Sequence, residues 1–230
     1  MLLHYKFKKY GFTLAEVLIT LGIIGIVASM TMPAIVANYR SSVLESQFKK
    51  SYSILSQALI RTKEELGENL HQTYVPNQPE GWAGAVEFRE TYFKYLQNLS
   101  SGGTSQMENF GKDWKSFSGV KESSLLGLGA MPGYLLLADG SYVTVLKNNS
   151  RLNILVDING KKFPNRTGYD IFLFVVDTDQ DKLVSWSKDK SLCDKDLKVS
   201  GFNGRACTYF AMINLNPADK TRKYFQSLQW

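Results

Sequence analysis

One carboxylate, Glu16, opens an otherwise uncharged apolar run. From Val17 to Ala37 no residue is charged, a length near the ~20 residues that span bilayer hydrocarbon. A charge at the edge of such a segment is costly unless it is paired, so Glu16 is a functional candidate by default. Ahead of it sit Lys6, Lys8 and Lys9, a short basic tail of the kind that stays in the cytoplasm. A second group of chemically able residues lies late in the chain, in the oxygen-rich stretch from Asp157 through Asn159, Asn165 and Asp170 to Phe172. Cys193 and Cys207 form the third.

The residues around Glu16 carry a family resemblance. Gly11, Phe12, Thr13, Leu14 and Glu16 follow a basic leader and precede an apolar helix. This pattern resembles the type IV pilin and pseudopilin family. The resemblance implies cleavage between Gly11 and Phe12 by a prepilin peptidase on the cytoplasmic face, methylation of the new Phe12 amine, and assembly into an envelope filament. It covers only about the first 30 residues. In the filament it would bring Glu16 of one subunit to the Phe12 amine of a neighbour, so that each charge finds a partner in an apolar core. An ordinary secretory signal fits less well, because Glu16 would lie in its apolar region and no Ala-x-Ala site follows near Ala28 or Ala34. A plain single-pass anchor fits the length but leaves Gly11, Phe12 and Glu16 without a role.

The elements that must hold these residues follow from periodicity. Residues 12–66 read as one long helix. Its first part is apolar all round, with Gly22 and Gly25 as small surfaces for close helix approach and Pro33 as a kink or local opening. After Arg40 the pattern becomes amphipathic, with Leu44, Phe48, Tyr52, Leu55 and Leu59 on one stripe and Gly67 as the C-cap. Residues 75–79 read as loop and Val86–Leu96 as a second helix with Phe88, Tyr92, Phe93 and Leu96 inward. Ser100–Gly103 reads as a break, and Trp114 and Phe117 as pins onto the domain. From Gly133 onward the chain turns to strands. Tyr134–Ala138 and Ser141–Leu146 flank Asp139-Gly140, a hairpin signal. Ile154–Ile158, Ile171–Val176 and Leu183–Trp186 continue an antiparallel meander, since such short connections cannot make parallel crossovers. The expected fold is therefore α+β: a long N-terminal helix packed on an antiparallel meander, which is also the pilin layout. The expected organisation is a cytoplasmic leader (1–11), a membrane or filament-core helix (12–37), an amphipathic continuation (38–66) and an extracytoplasmic globular domain (67–230).

Charge and composition narrow the function. The three leader lysines belong to 27 basic residues, and without them 24 bases face 21 acids, net +3. That is too mild to argue for nucleic acid. Cys193 and Cys207 are 14 positions apart, and outside the cytoplasm a bridge is permitted, closing a loop worth about 3 kcal/mol. The segment between them, with Lys195, Lys198 and Arg205, reads as exposed and open to partners. In the 157–172 stretch, Asp157, Asn165 and Asp170 are expected to bond backbone amides of a turn. The alternative is calcium held by Asp157, Asn159 and Asp170; a hard cation needs about six or seven oxygens, and the sequence does not show that they converge. Asp177-x-Asp179-x-Asp181 starts like an EF-hand but has Lys182 at the sixth position and Lys188 at the twelfth, so a solvated hairpin tip is expected. His4 and His71 stand alone, and no nucleophile–base constellation is legible.

The chain is thus expected to be a non-enzymatic pseudopilin or minor pilin of a type II secretion or type IV pilus filament, with no cofactor. It would be anchored in a bacterial inner membrane with its N-terminus cytoplasmic. Its partners would be the prepilin peptidase, other pilin-like subunits and the inner-membrane assembly platform. The rival is an extracytoplasmic adhesin, DNA-uptake protein or enzyme that shares only the anchor.

Overall fold

The computed structural model describes residues 11–67, 81–102, 113–121, 133–148, 151–177, 179–197 and 202–229. The basic leader, His4, His71, the 75–79 loop and Lys198 lie outside these residues. Contacts divide the chain between Arg40 and Ser41 into two units. Helix α1 (Leu14–Leu66) runs through that point and contains Pro33, which therefore does not end it.

In the first unit almost every side chain from Gly11 to Arg40 is exposed; only Ala28 and Ala37 are half-buried. Leu18, Ile24 and Ile35 are each more than 60% exposed. An α-helix apolar on all sides finds no internal core and needs lipid or another chain around it. Pro33 has no N–H, so the Ser29 carbonyl lacks its usual donor. Nearby, the Ser29 and Thr31 hydroxyls donate back to the carbonyls of Ile26 (2.8 Å) and Val27 (3.0 Å). Such local bonds satisfy side chains where water is absent.

In the second unit α1 lays one stripe on a sheet. Leu44, Phe48, Leu55 and Leu59 are buried, with Ser51, Ala58 and Thr62 between them and Tyr52 at the margin. The sheet has six antiparallel strands in sequential order: β1 (Asn98–Gly102), β2 (Tyr134–Leu137), β3 (Tyr142–Asn148), β4 (Arg151–Asp157), β5 (Ile171–Asp177) and β6 (Lys182–Ser185). Alternation decides which strand residues meet the helix. Phe172 and Phe174 on β5 lie 4.5 and 6.0 Å from the Phe48 ring. Leu155, Ile171 and Leu173 point to the other face, where they pack with Trp114 and Leu146. Burial on both faces explains why β5 reads as an unbroken apolar run. Gly67, at φ +91°, closes α1, and its amide donates to the Lys63 carbonyl at 2.8 Å.

The α+β layout expected from the sequence, with a long helix on an antiparallel sheet, is the one observed. Several local expectations are corrected. Helix α2 spans Gly81–Lys94, ending two residues before Leu96, and it is fixed by the Tyr92 hydroxyl donating to the Leu55 carbonyl at 2.9 Å. The Ser100–Gly103 break falls largely within edge strand β1, where Ser100–Gly102 pair with Leu136–Tyr134. Small polar residues are tolerated there because an edge strand packs less. The C-terminal helix α3 (Cys207–Ile213) was not anticipated. Arg205 is not exposed: it is 2% accessible, 4.1 Å from the Phe202 ring centroid and 5.5 Å from that of Trp186. A planar, weakly hydrated guanidinium can stack on aromatic faces where an ammonium would stay in water. At the β5–β6 tip Asp181 is engaged by Lys63 of α1, so that turn is tied to the helix as well as solvated.

Candidate processing and assembly site

The N-terminal site is built by the first turn of α1. Thr13 precedes the helix, and its amide and hydroxyl both donate to Glu16 Oε2 at 2.8 Å. In return the Glu16 amide donates to Thr13 Oγ1 at 3.2 Å. This is a capping box: a Thr before the helix and a Glu three residues on satisfy each other's orphan donors. Glu16 therefore has a local job that the sequence reading missed. The signal was present as Thr13-Leu14-Ala15-Glu16 just before an apolar run. Oε1 takes no hydrogen bond among those of the described residues, so one carboxylate oxygen stays open. Gly11 and Phe12 lie ahead of the helix, and Phe12 is 89% exposed. The bond between them thus lies on accessible chain ahead of the helix. Pro33 lies two turns before the start of the second unit. A Cβ added at Gly22 or Gly25 would meet nothing within 4 Å, which leaves those surfaces open to a neighbouring helix.

The late sites are brought together in the second unit. Cys193 and Cys207 are joined by a disulfide, with Cα atoms 4.9 Å apart. The connection between β4 and β5 packs directly on it, because a Cβ at Gly168 would fall 2.8 Å from Cys207 Sγ. The same connection reaches two other segments. The Arg166 guanidinium donates to the Phe117 carbonyl. The Tyr169 hydroxyl donates to the Gln229 carbonyl (3.0 Å), and the Gly168 carbonyl accepts from the Tyr224 hydroxyl (2.6 Å). The Asp157–Phe172 stretch is thus a tie between the sheet, the 113–121 segment and the C-terminus.

Its acids accept from backbone amides as the turn reading requires, whereas Asn165 does not. Asp170 accepts from the amides of Asn165 and Arg166, one on each oxygen, both at 2.7 Å. Asp157 Oδ1 accepts from the Asn159 amide at 3.3 Å. Asn165 differs: with its Nδ2 turned inward it donates to the carbonyls of Gly160 (3.2 Å) and Lys162 (3.1 Å). Asp157 Oδ2 and Asn159 Oδ1 are buried without a hydrogen-bond partner. Two open oxygens fall short of the six or more a calcium ion takes, and among the described residues no three or more His, Cys, Asp or Glu gather for a metal.

Burial pushes the Asp157 carboxyl well above the ordinary range, and the neighbouring Asp170 charge pushes it the same way. Burial also raises Asp170, to about 7, against the opposing amides of Arg166 and Asn165. The folded unit therefore holds protons that the unfolded chain, with carboxyls near ~3.9, gives up. The associated stability is full below pH ~4 and is lost as pH rises toward and through 7. The urea midpoint of the full chain in detergent should fall between pH 5 and 8. Asp157→Asn should flatten that slope; equal slopes in both proteins would remove the pair as its source.

Comparison with known proteins finds a match at the N-terminus. Residues 6–32 match the prokaryotic N-terminal methylation motif, the prepilin cleavage motif of pilins and pseudopilins. The match takes in Lys6, Lys8, Lys9, Gly11, Phe12 and Glu16, and it ends one residue before Pro33. No curated protein and no solved structure matches the chain. Helix α1 is long and apolar enough to cross a membrane, which fits a membrane-anchored protein.

Proposed function

We propose that this chain is a structural subunit of an envelope filament, a type II secretion pseudopilin or a type IV minor pilin. One observation carries the reading: the methylation motif at 6–32 heads a helix whose apolar side chains, up to Val36 and apart from Ala28, are exposed. Bilayer lipid covers that surface before assembly and other pilin-like subunits cover it after. A prepilin peptidase cleaves between Gly11 and Phe12, and Phe12 is methylated. The inner-membrane assembly platform then extracts the subunit into the fibre. The second unit acts by contact rather than catalysis; its disulfide holds the C-terminal segments in an oxidising compartment.

The test is mass analysis of protein purified from membranes. The expected N-terminus is methylated Phe12. An intact leader, or cleavage near Ala37, would sink the reading. Gly11→Ala should slow maturation less than Gly11→Leu, because the peptidase pocket must admit the residue before the scissile bond.

A further inference from the structure

We propose that the edge formed by Ile213, Leu215, Lys220, Arg222 and Lys223 is a lipid-contact surface that docks the second unit on an anionic phospholipid headgroup layer. The proposal rests on the membrane-anchored reading above. It starts from where this edge is tied. The C-cap residue of α3, Asn214, donates through Nδ2 to Glu45 Oε1 at 3.0 Å. Farther on, the Phe225 ring packs 5.6 Å from Phe48. Both ends of the 214–225 segment are therefore held on the first turns of α1 within the second unit. Glu45 follows Ala37, the end of the uncharged run, by eight residues. At about 3.5 Å per residue, chain length alone keeps it within roughly 28 Å of that run. Tyr39 and Arg40, between them in sequence, are the residue types that mark a membrane–water interface.

The segment's shape and charge match that location. Between its two anchors it folds on itself. The Asn216 amide donates to the Arg222 carbonyl at 3.0 Å, and Asn216 Oδ1 accepts from the amides of Ala218 (2.7 Å) and Asp219 (3.0 Å). Ile213 is 43% and Leu215 38% exposed, and Lys220, Arg222 and Lys223 are all exposed. None of the three cations makes a salt bridge among the described residues. The one acid in the turn, Asp219, is exposed; it accepts from the Thr221 amide (2.9 Å) and hydroxyl (2.6 Å). Its charge is felt by Arg222, so the turn carries three cations against one acid. An excess of exposed cations in the same segment as exposed apolar side chains is the chemistry that lipid phosphates and the acyl boundary satisfy together. A rigid turn also loses little entropy on docking.

The experiment uses the full chain in nanodiscs at one copy per disc, with a nitroxide at Ala218→Cys. One disc is pure phosphatidylcholine and the other is rich in phosphatidylglycerol; both carry a headgroup-bound paramagnetic lipid. Relaxation enhancement of the nitroxide should be several-fold larger in the phosphatidylglycerol disc. Lys220→Glu, Arg222→Glu and Lys223→Glu together should return it to the phosphatidylcholine level without shifting the unfolding midpoint. Ile213→Ser with Leu215→Ser should reduce it by about half. Equal enhancement in the two lipids, with the chain still co-purifying with the disc, would overturn the docking surface alone. Failure to co-purify would overturn the anchor and the surface together. Enhancement appearing only at two or more copies per disc would assign the edge to a second copy of this chain and overturn the lipid proposal.

Discussion

Glu16→Gln should be made, inserted and cleaved like the wild type, yet enter filaments on the order of a hundredfold less. Glutamine keeps the capping box, since its side-chain oxygen can accept from the Thr13 amide and hydroxyl as Oε2 does now. It cannot neutralise an amine. A subunit packed beside a free Phe12 ammonium would strand that charge in an apolar shaft, a loss of roughly 3–5 kcal/mol if burial is complete. Glu16→Val removes the cap as well and should loosen the helix start by a further ~1 kcal/mol. Glu16→Asp should fall between wild type and Gln, because its shorter arm reaches less far. Shearing cells and comparing filament-bound with membrane-bound protein, at equal processing, measures the effect. Wild-type incorporation of Glu16→Gln would leave the carboxylate with capping alone.

The geometry allows both jobs at once. Oε2 is spent within the helix turn on Thr13, while Oε1 is open. A carboxylate has lone pairs to spare for an ammonium from outside. The capping box therefore holds the charge in one place near the helix start, and pre-organisation of this kind lowers the entropy lost on pairing. Removing the box while keeping the charge, by Thr13→Val, should weaken incorporation less than Glu16→Gln does.

How much of this was legible in the sequence depended on the period of each segment. The stripe Leu44, Phe48, Leu55 and Leu59 repeats at helical spacing and is buried as expected. The strands from Tyr134 to Ser185 were bracketed by turn residues such as Asp139-Gly140, with Gly140 at φ +86°. Strand β1 was hidden because Asn98–Gly102 is made of residues with weak strand preference; it forms because β2 offers it a partner. Helix α3 has seven residues, too few for a periodic signal. Arg205 was misplaced because burial of a cation depends on which rings lie nearby, here Phe202 and Trp186, and no local pattern encodes that. The Asp157–Phe172 stretch was legible as a turn. Its tertiary role was not, because its partners lie from 36 to 60 residues away.

That tie makes its own demand at Gly204, where even a single added methyl should be strongly damaging. Gly204 sits at φ +109°, a backbone region that costs a side-chain-bearing residue about 1–3 kcal/mol. A Cβ there would stand 2.1 Å from Thr167 Oγ1 and 2.6 Å from Thr167 Cβ, and overpacking of this kind adds a similar penalty. Neither Thr167 nor Gly204 is free to move. Thr167 Oγ1 donates to the Asn203 carbonyl at 3.0 Å, and the Gly204 amide donates to the Leu192 carbonyl at 2.7 Å. Asn203 holds the other side, its Nδ2 donating to the carbonyls of Asp194 (2.6 Å) and Leu197 (3.1 Å). Gly204→Ala should therefore cost on the order of 4 kcal/mol, read as a lower urea midpoint for the full chain in detergent. The Cys193–Cys207 bond should also reduce faster, because local opening exposes a pair that is 3% and 0% accessible. Thr167→Gly in the same chain removes both close contacts and should restore part of the loss, leaving the backbone term. If Gly204→Ala matched the wild type in midpoint and reduction rate, the 166–170 connection would not be packed against the disulfide as described.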